Sequence, residues 1–306
     1  MGALPLPAGD GAADAGIALA HWLADAAVEA LVDEATLTPK PGLVDLRGNG
    51  AHADMNWMLM CRSARALRPA FLAMALAGRR IGDQQALREH IGAAGRDGER
   101  LMSQATGGVN THRGAIWALG LLVTAAAQPG PRQGGDARVV ARRAGALARL
   151  HDGGAPAVTA NKGALACLRH GVGGARSQAQ AGFPQVTEVA LPMLRASLRR
   201  GDGDAAARLN ALLAVMAQLD DTCLLARGGR PALEAAQRGA RRVLDAGGAA
   251  SAGGSAALRL LDATLLARRL SPGGAADLLA ATLLLDRIEN QGINFNVECE
   301  HGTTAI

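Results

Sequence analysis

A chain of 306 residues is long enough to bury a large core, as one sizeable domain or as two that pack closely. With 49% hydrophobic residues, 2% aromatics and no tyrosine, the composition argues against a sheet sandwich and for an alanine- and leucine-rich all-α fold. The formal charge of +5 suits an arginine-rich surface or a phosphate-rich ligand, and no basic run is interleaved with the aromatics that nucleic-acid binding would use.

The four cysteines (Cys61, Cys167, Cys223, Cys299) are scattered without a CxxC pair, which argues against a zinc knuckle and against a disulfide framework. No signal-peptide pattern opens the chain, and no run of about 18 apolar residues reads as a membrane span. The expectation is a reduced, soluble, cytoplasmic protein with no nucleic-acid or membrane partner.

The first helix is expected from Ala13 to Leu37, where Ile17, Ala20, Ala24, Ala27 and Leu31 recur three or four apart. Continuing that stripe brings Glu34 inward, where a carboxylate needs a cation, a metal or donors. A simple pairing with Lys40 or Arg47 is the alternative. The segment that follows, EATLTPKPGLVDLRGNGAHAD (Glu34 to Asp54), is the densest polar stretch, holding Glu34, Lys40, Asp45, Arg47, His52 and Asp54. Pro39 and Pro41 deny it helix, and Gly42, Gly48 and Gly50 permit tight turns or close approach to a ligand. A solvated surface loop would have the same composition.

One long helix is expected over Asn56 to Arg80, and a second, capped by Asp83, through Met102. TGGVNTHRGAIW (Thr106 to Trp117) then feeds a glycine loop into a helix start, with Asn110 or Thr111 as the cap of a helix to Ala127. Such a start offers free N–H groups to an anion, and His112 and Arg113 would add charge. A connector (Gln128 to Asp136) leads to a basic helix ending at His151. In the polar cluster Asn161 to Pro184, Arg176 and Gln178 lie among glycines and face a ligand on this reading.

A helix from Gln185 to Arg200 and the turn GDGD come next. From Asp204, the stripe Leu209, Leu212, Leu213, Met216 carries Asp220 on its apolar face, with Asp221 turned about 100° away. Two adjacent aspartates that merely end a helix are the alternative. Arg230 to Ala246 and Ala252 to Leu270 read as helices. In SPGGAADLLAATLLLDRI, Ser271 caps, Pro272 takes the first helical position, and Leu278 to Leu285 is apolar all round, the mark of a central helix. Asp277 sits in its first turn. The helical period is lost after Asn290. The expected organisation is a flexible N-terminus over 1–12, one all-α domain over 13–289 with ten or so helices around a polar cleft lined by glycine-rich motif loops, and a tail over 290–306.

TPKPGLVD with GAHAD after it, GVNTHRGAIW, GARSQAQAGFP, LDDTCLLARGG and SPGGAADLLAATLLLDR occur in that order over roughly Asp14 to Arg287. Together these blocks resemble the triphosphoribosyl-dephospho-CoA synthase family. The resemblance implies a transferase that joins ATP and 3′-dephospho-CoA, releases adenine and leaves 2′-(5″-triphosphoribosyl)-3′-dephospho-CoA. That product is the precursor of the prosthetic group of the acyl carrier protein of malonate decarboxylase or citrate lyase, handed on to a separate transferase. A homodimer is a further expectation.

Transfer at a ribose C1 passes through an oxocarbenium-like transition state. It needs negative charge near the ring, a base for the attacking hydroxyl and a grip on the triphosphate. The catalytic candidates are Glu34, Asp45, His52, Asp220 and Asp221, with one of the aspartate pair or His52 as the base. Mg²⁺ is expected on Glu34, Asp45, Asp54, Asp220, Asp221 and Asp277 together with triphosphate oxygens. For ATP and its phosphates the candidates are Lys40, Asn110, Thr111, His112, Arg113, Gly114, Arg176, Arg227, Ser271, Gly273 and Gly274. The competing readings are a magnesium-dependent hydrolase of N-glycosidic or ADP-ribosyl bonds, and a non-enzymatic module that binds CoA or a carrier protein.

Overall fold

A computed structural model describes residues 10–130, 135–155 and 161–301. Most of the expected flexible N-terminus (residues 1–9) and the last residues of the expected tail (302–306) lie outside this range. The described residues form helices α1 (Asp10–Thr36), α2 (Trp57–Ala66), α3 (Arg68–Arg80), α4 (Gln84–Thr106), α5 (Arg113–Ala127) and α6 (Ala137–Arg149). They continue with α7 (Lys162–His170), α8 (Gly174–Gln180), α9 (Leu191–Arg200), α10 (Asp204–Met216), α11 (Thr222–Asp245), α12 (Ala252–Ala267) and α13 (Gly273–His301). A π-helical turn, Gln185–Ala190, leads into α9, and no strand occurs among the described residues. The all-α expectation is met.

Two helices form the centre. In α5 every residue from Ala118 to Ala127 is buried, and α1, α3, α4, α6 and α13 pack around it. The apolar run Leu278 to Leu285 of α13 is likewise buried and packs on α1, α5 and α10. Such a helix holds its place by burial on all sides, at roughly 2 kcal/mol for each leucine removed from water. Glycine lets the helices come close. A methyl at Gly78 of α3 would strike the Thr124 carbonyl of α5, and one at Gly120 of α5 would strike the Met74 sulfur.

Several boundaries differ from the sequence reading. The helix expected over 56–80 breaks at Leu67, because Pro69 cannot donate into a continuing ladder and starts α3 instead. The cluster Asn161 to Pro184 contains α7 and α8, too short to show a period. A helix expected from Arg230 already begins at Thr222 and kinks at Gly229 (φ 63°), ahead of Pro231. The helix of α13 runs on past Asn290 to His301, through the stretch read as a tail. Residues 14–36 of α1 are long and apolar enough to cross a membrane, contrary to the sequence reading. Leu19, Leu23, Ala27 and Leu31 of this helix are buried in the common core.

Candidate active site

The loop after α1 is folded around Asp45. Its carboxylate accepts hydrogen bonds from the Thr38 hydroxyl (3.1 Å), the Lys40 amide (2.9 Å), and the Arg47 amide (2.8 Å) and Nε (2.9 Å). Asp262 of α12 holds the same loop from outside, accepting from the Gly42 amide at 2.9 Å and Arg47 Nη1 at 2.7 Å. With its acceptors taken, Asp45 shapes the loop and is not presented to a ligand. The Arg47 donors hold its carboxyl below the usual range, against the upward push of burial.

Glu34 points inward, as its helical phase requires, and only 4% of it is exposed. Lys40, 1% exposed, meets it at 2.5 Å. This is the ion pair the sequence left as the alternative, and it removes Lys40 from the phosphate-binding set. His112 leaves that set too. It is buried, and the loss of water together with the Lys40 charge pushes its pKa down to about 3, so it is neutral. Its Nδ1 pairs with Ser63 Oγ at 2.9 Å, and Ser63 Oγ pairs with Thr111 Oγ1 at 2.6 Å. Thr111 thereby anchors the loop to α2. The N-cap position of α5 falls on His112, not on Asn110 or Thr111, and Asn110 Oδ1 accepts from the Arg113 amide at 3.3 Å.

The aspartate pair is reversed relative to expectation. Asp220 is exposed and Asp221 is 2% exposed. The helix that would have carried Asp220 inward ends at Met216, so its phase does not reach residue 220. Asp221 is the N-cap of α11, accepting from the Cys223 amide at 2.8 Å and the Leu224 amide at 3.3 Å. It also accepts from the Ala275 amide of α13 at 2.9 Å. One carboxylate thus joins two helix N-termini, and the short Gly273–Gly274 segment permits the approach. A Cβ on Gly274 would lie 3.1 Å from Asp221 Oδ2, and one on Gly273 would lie 3.0 Å from Cys223 Sγ. The amides expected to receive phosphate at this helix start are turned to Asp221 instead. Burial raises the Asp221 pKa while these amides oppose the rise.

Asp277, in the first turn of α13, lies against the start of α5. A methyl at Gly114 would collide with its carboxylate. Its pKa stands well above the usual carboxylate value, first through burial and then through the charges of Glu34 and Asp221. Asp277 therefore feels two other carboxylates, Glu34, which is bonded to Lys40, and Asp221, which is held by backbone amides. The N-termini of α5, α11 and α13 converge on the same place, and their dipoles favour negative charge.

On the loop side, His52 Nε2 lies 2.9 Å from Ser271 Oγ, so Ser271 engages the loop and does not cap α13. Arg227 Nη2 approaches both ring nitrogens, at 3.3 and 3.4 Å. Burial and the Arg227 charge lower the His52 pKa, leaving a neutral ring. Asp54 is exposed, its nearest oxygen 3.7 Å from His52 Nδ1. Arg113 is paired with Glu99 of α4 at 2.9 Å, and Arg176 and Arg227 are exposed cations. The Mg²⁺ ligand set drawn from six carboxylates is not gathered. Asp45 is saturated, Asp54 and Asp220 face outward, and among the described residues no three metal-ligating side chains converge.

The motif loops nevertheless meet. Thr222 of α11 faces Gly163 and Gly174, His52 meets Ser271, and Gly114 meets Asp277. The sequence reading missed Asp262, whose only signal is a lone acid on an apolar helix. It also missed the role of Glu99, which accepts from Trp117 Nε1 at 2.9 Å.

Comparison with known proteins bears on the chain as a whole. A model of the CitG family, ATP:dephospho-CoA triphosphoribosyl transferase, matches residues 20–295. A Klebsiella pneumoniae protein named 2-(5″-triphosphoribosyl)-3′-dephosphocoenzyme-A synthase is 57% identical over 267 residues, covering 87% of this chain and 94% of its own. Proteins named as probable synthases of the same kind are 58% identical over 270 residues in Stutzerimonas stutzeri (88% and 92% covered) and 56% over 283 in Pseudomonas fluorescens Pf-5 (90% and 96%). No solved structure matches.

Proposed function

The chain belongs to the ATP:dephospho-CoA triphosphoribosyl transferase family, and we propose that the centre formed by Asp277, Asp221 and the Glu34–Lys40 pair carries out that family's reaction. The protein is a triphosphoribosyl-dephospho-CoA synthase, an enzyme that joins ATP to 3′-dephospho-CoA. Adenine leaves C1 of the ATP ribose, and a ribose hydroxyl of dephospho-CoA takes its place.

Asp277 carries the reading, as a carboxylate set where α13 meets the start of α5, with its proton affinity raised well above that of an ordinary carboxylate. It accepts the proton of the attacking hydroxyl. Before that, its negative charge and that of Asp221 stabilise the positive charge growing at C1. Asp221 is fully occupied by amides and stays in place as a fixed charge. Arg227, beside neutral His52 and Ser271, is placed to hold phosphate oxygens on the loop side. The residues present do not form a cage for a resident metal, so Mg²⁺ is read as the counter-ion that enters with the triphosphate. The product passes, on this reading, to a separate transferase acting on an acyl carrier protein, and the enzyme works in the cytoplasm.

The test is adenine release from ATP with and without dephospho-CoA. Release is expected only with both, and Asp277→Asn is expected to lower it at least about a hundredfold while both substrates still bind. Release without the acceptor would make the protein a hydrolase, and no release would leave a binding module. Near-normal turnover in Asp277→Asn would remove Asp277 from the chemistry.

A further inference from the structure

A second charged cluster lies on α4, away from the carboxylates. Arg88 and Arg96 flank Gly92 on one face of this helix, and a methyl at Gly92 would strike the Asp152 carboxylate. Glycine there lets Asp152, 4% exposed, rest against the helix between the two arginines. Arg96 Nη1 lies 2.7 Å from Asp152 Oδ2, and Arg88 Nη1 lies 3.6 Å from the same oxygen. The Arg88 guanidinium also stands over the Trp117 ring, 5.9 Å from its centroid. Gly95 makes room for that indole, since a Cβ there would fall 2.9 Å from the ring. Arg176 of α8 comes close enough for its charge, with that of Arg96 and the loss of water, to lower the Arg88 pKa.

Two guanidiniums thus share one carboxylate. The buried Nε and Nη1 of Arg88 have no hydrogen-bond partner among the described residues, although its side chain is only 14% exposed. Stranded donors on a buried cation are costly, and a planar fork of this kind is matched by phosphate oxygens. The cluster is also joined to the reaction centre. Trp117 Nε1 and Arg113 both bond Glu99, and Gly114, next in the chain, packs on Asp277.

We propose that Arg88 and Arg96 form a polyphosphate-binding site that holds the phosphate chain of one of the two nucleotide substrates. This rests on the two-substrate reading above, which requires grips for two polyphosphates. Arg227 on the loop side supplies one and the α4 cluster supplies the other. Neither Arg88 nor Arg96 stands in a loop motif, so their partnership comes from the fold.

The experiment measures binding of inorganic triphosphate and pyrophosphate to the full chain by calorimetry and by thermal shift, then of ATP and dephospho-CoA separately. Arg88→Gln and Arg96→Gln are each expected to weaken inorganic polyphosphate and one nucleotide about tenfold or more, and the nucleotide affected identifies the source. Should Arg88→Gln not fold, the more exposed Arg96→Gln decides alone. Polyphosphate and both nucleotides binding the folded variants as they bind wild type would overturn the site, even with adenine release intact. Arginine-dependent polyphosphate binding without adenine release would keep the site and overturn the function.

Discussion

Asp277 is held against its own stability. Its ordinary pKa is 3.8, and burial with two neighbouring carboxylates raises the folded value well above that. A carboxyl raised on folding contributes stability that is complete below its unfolded pKa and is lost as pH rises through the folded pKa. At neutral pH the group therefore destabilises the fold. Asp277→Asn keeps the size and polarity of the side chain and removes the charge. It is expected to raise the melting temperature at pH 7.5 by about 2 °C or more, the effect of roughly 1 kcal/mol in a chain of this size. The gain should shrink towards zero as pH falls to 4, while activity is lost at every pH. An unchanged or lower melting temperature at pH 7.5 would mean that the carboxylate is already neutralised in the folded protein. Residue roles of this kind were half legible. Glu34 follows from the stripe of α1, since the helix continues through it. Asp220 and Asp221 could not be ordered, because the phase was carried past the end of α10.

At the scale of the element, the sequence spoke through its glycines as much as its leucines. Gly92, Gly95 and Gly98 recur every third residue inside α4, where each costs about 1 kcal/mol relative to alanine. That row signals close approach, and the structure seats the Asp152 carboxylate, the Trp117 indole and the Ala70 methyl against it. Gly78 makes the same argument for α3 on α5. Its missing Cβ admits the Thr124 carbonyl, a backbone atom that cannot swing aside. Gly78→Ala should therefore cost about 1–3 kcal/mol, read from denaturant midpoints, despite alanine's better helix propensity. A neutral or stabilising result would show that the two helices separate without cost. Long helices were legible because a dozen residues display a period. Those of seven to nine residues, α7 and α8, were not, since two turns fit almost any pattern.

At the scale of the whole molecule, the arginines free to meet substrate lie further out than the inner carboxylates. Arg227 and Arg176 are exposed and Arg113 is partly exposed, whereas Glu34 and Asp221 are buried. The surplus of +5 faces two polyanionic substrates, so encounter and initial grip are steered by charges that salt can screen. At about 0.1 M ionic strength the Debye length is roughly 10 Å, which weakens exposed contacts far more than the inner carboxylates. The apparent KM for both ATP and dephospho-CoA is accordingly expected to rise several-fold between about 0.05 and 0.3 M potassium chloride. The turnover at saturating substrate should change by less than about twofold. The steady-state parameters at four or five salt concentrations, with Mg²⁺ held constant, measure this directly. A flat KM would place the phosphates on neutral backbone amides, and a falling kcat with a flat KM would move the salt-sensitive charges from the substrate grip to the chemical step.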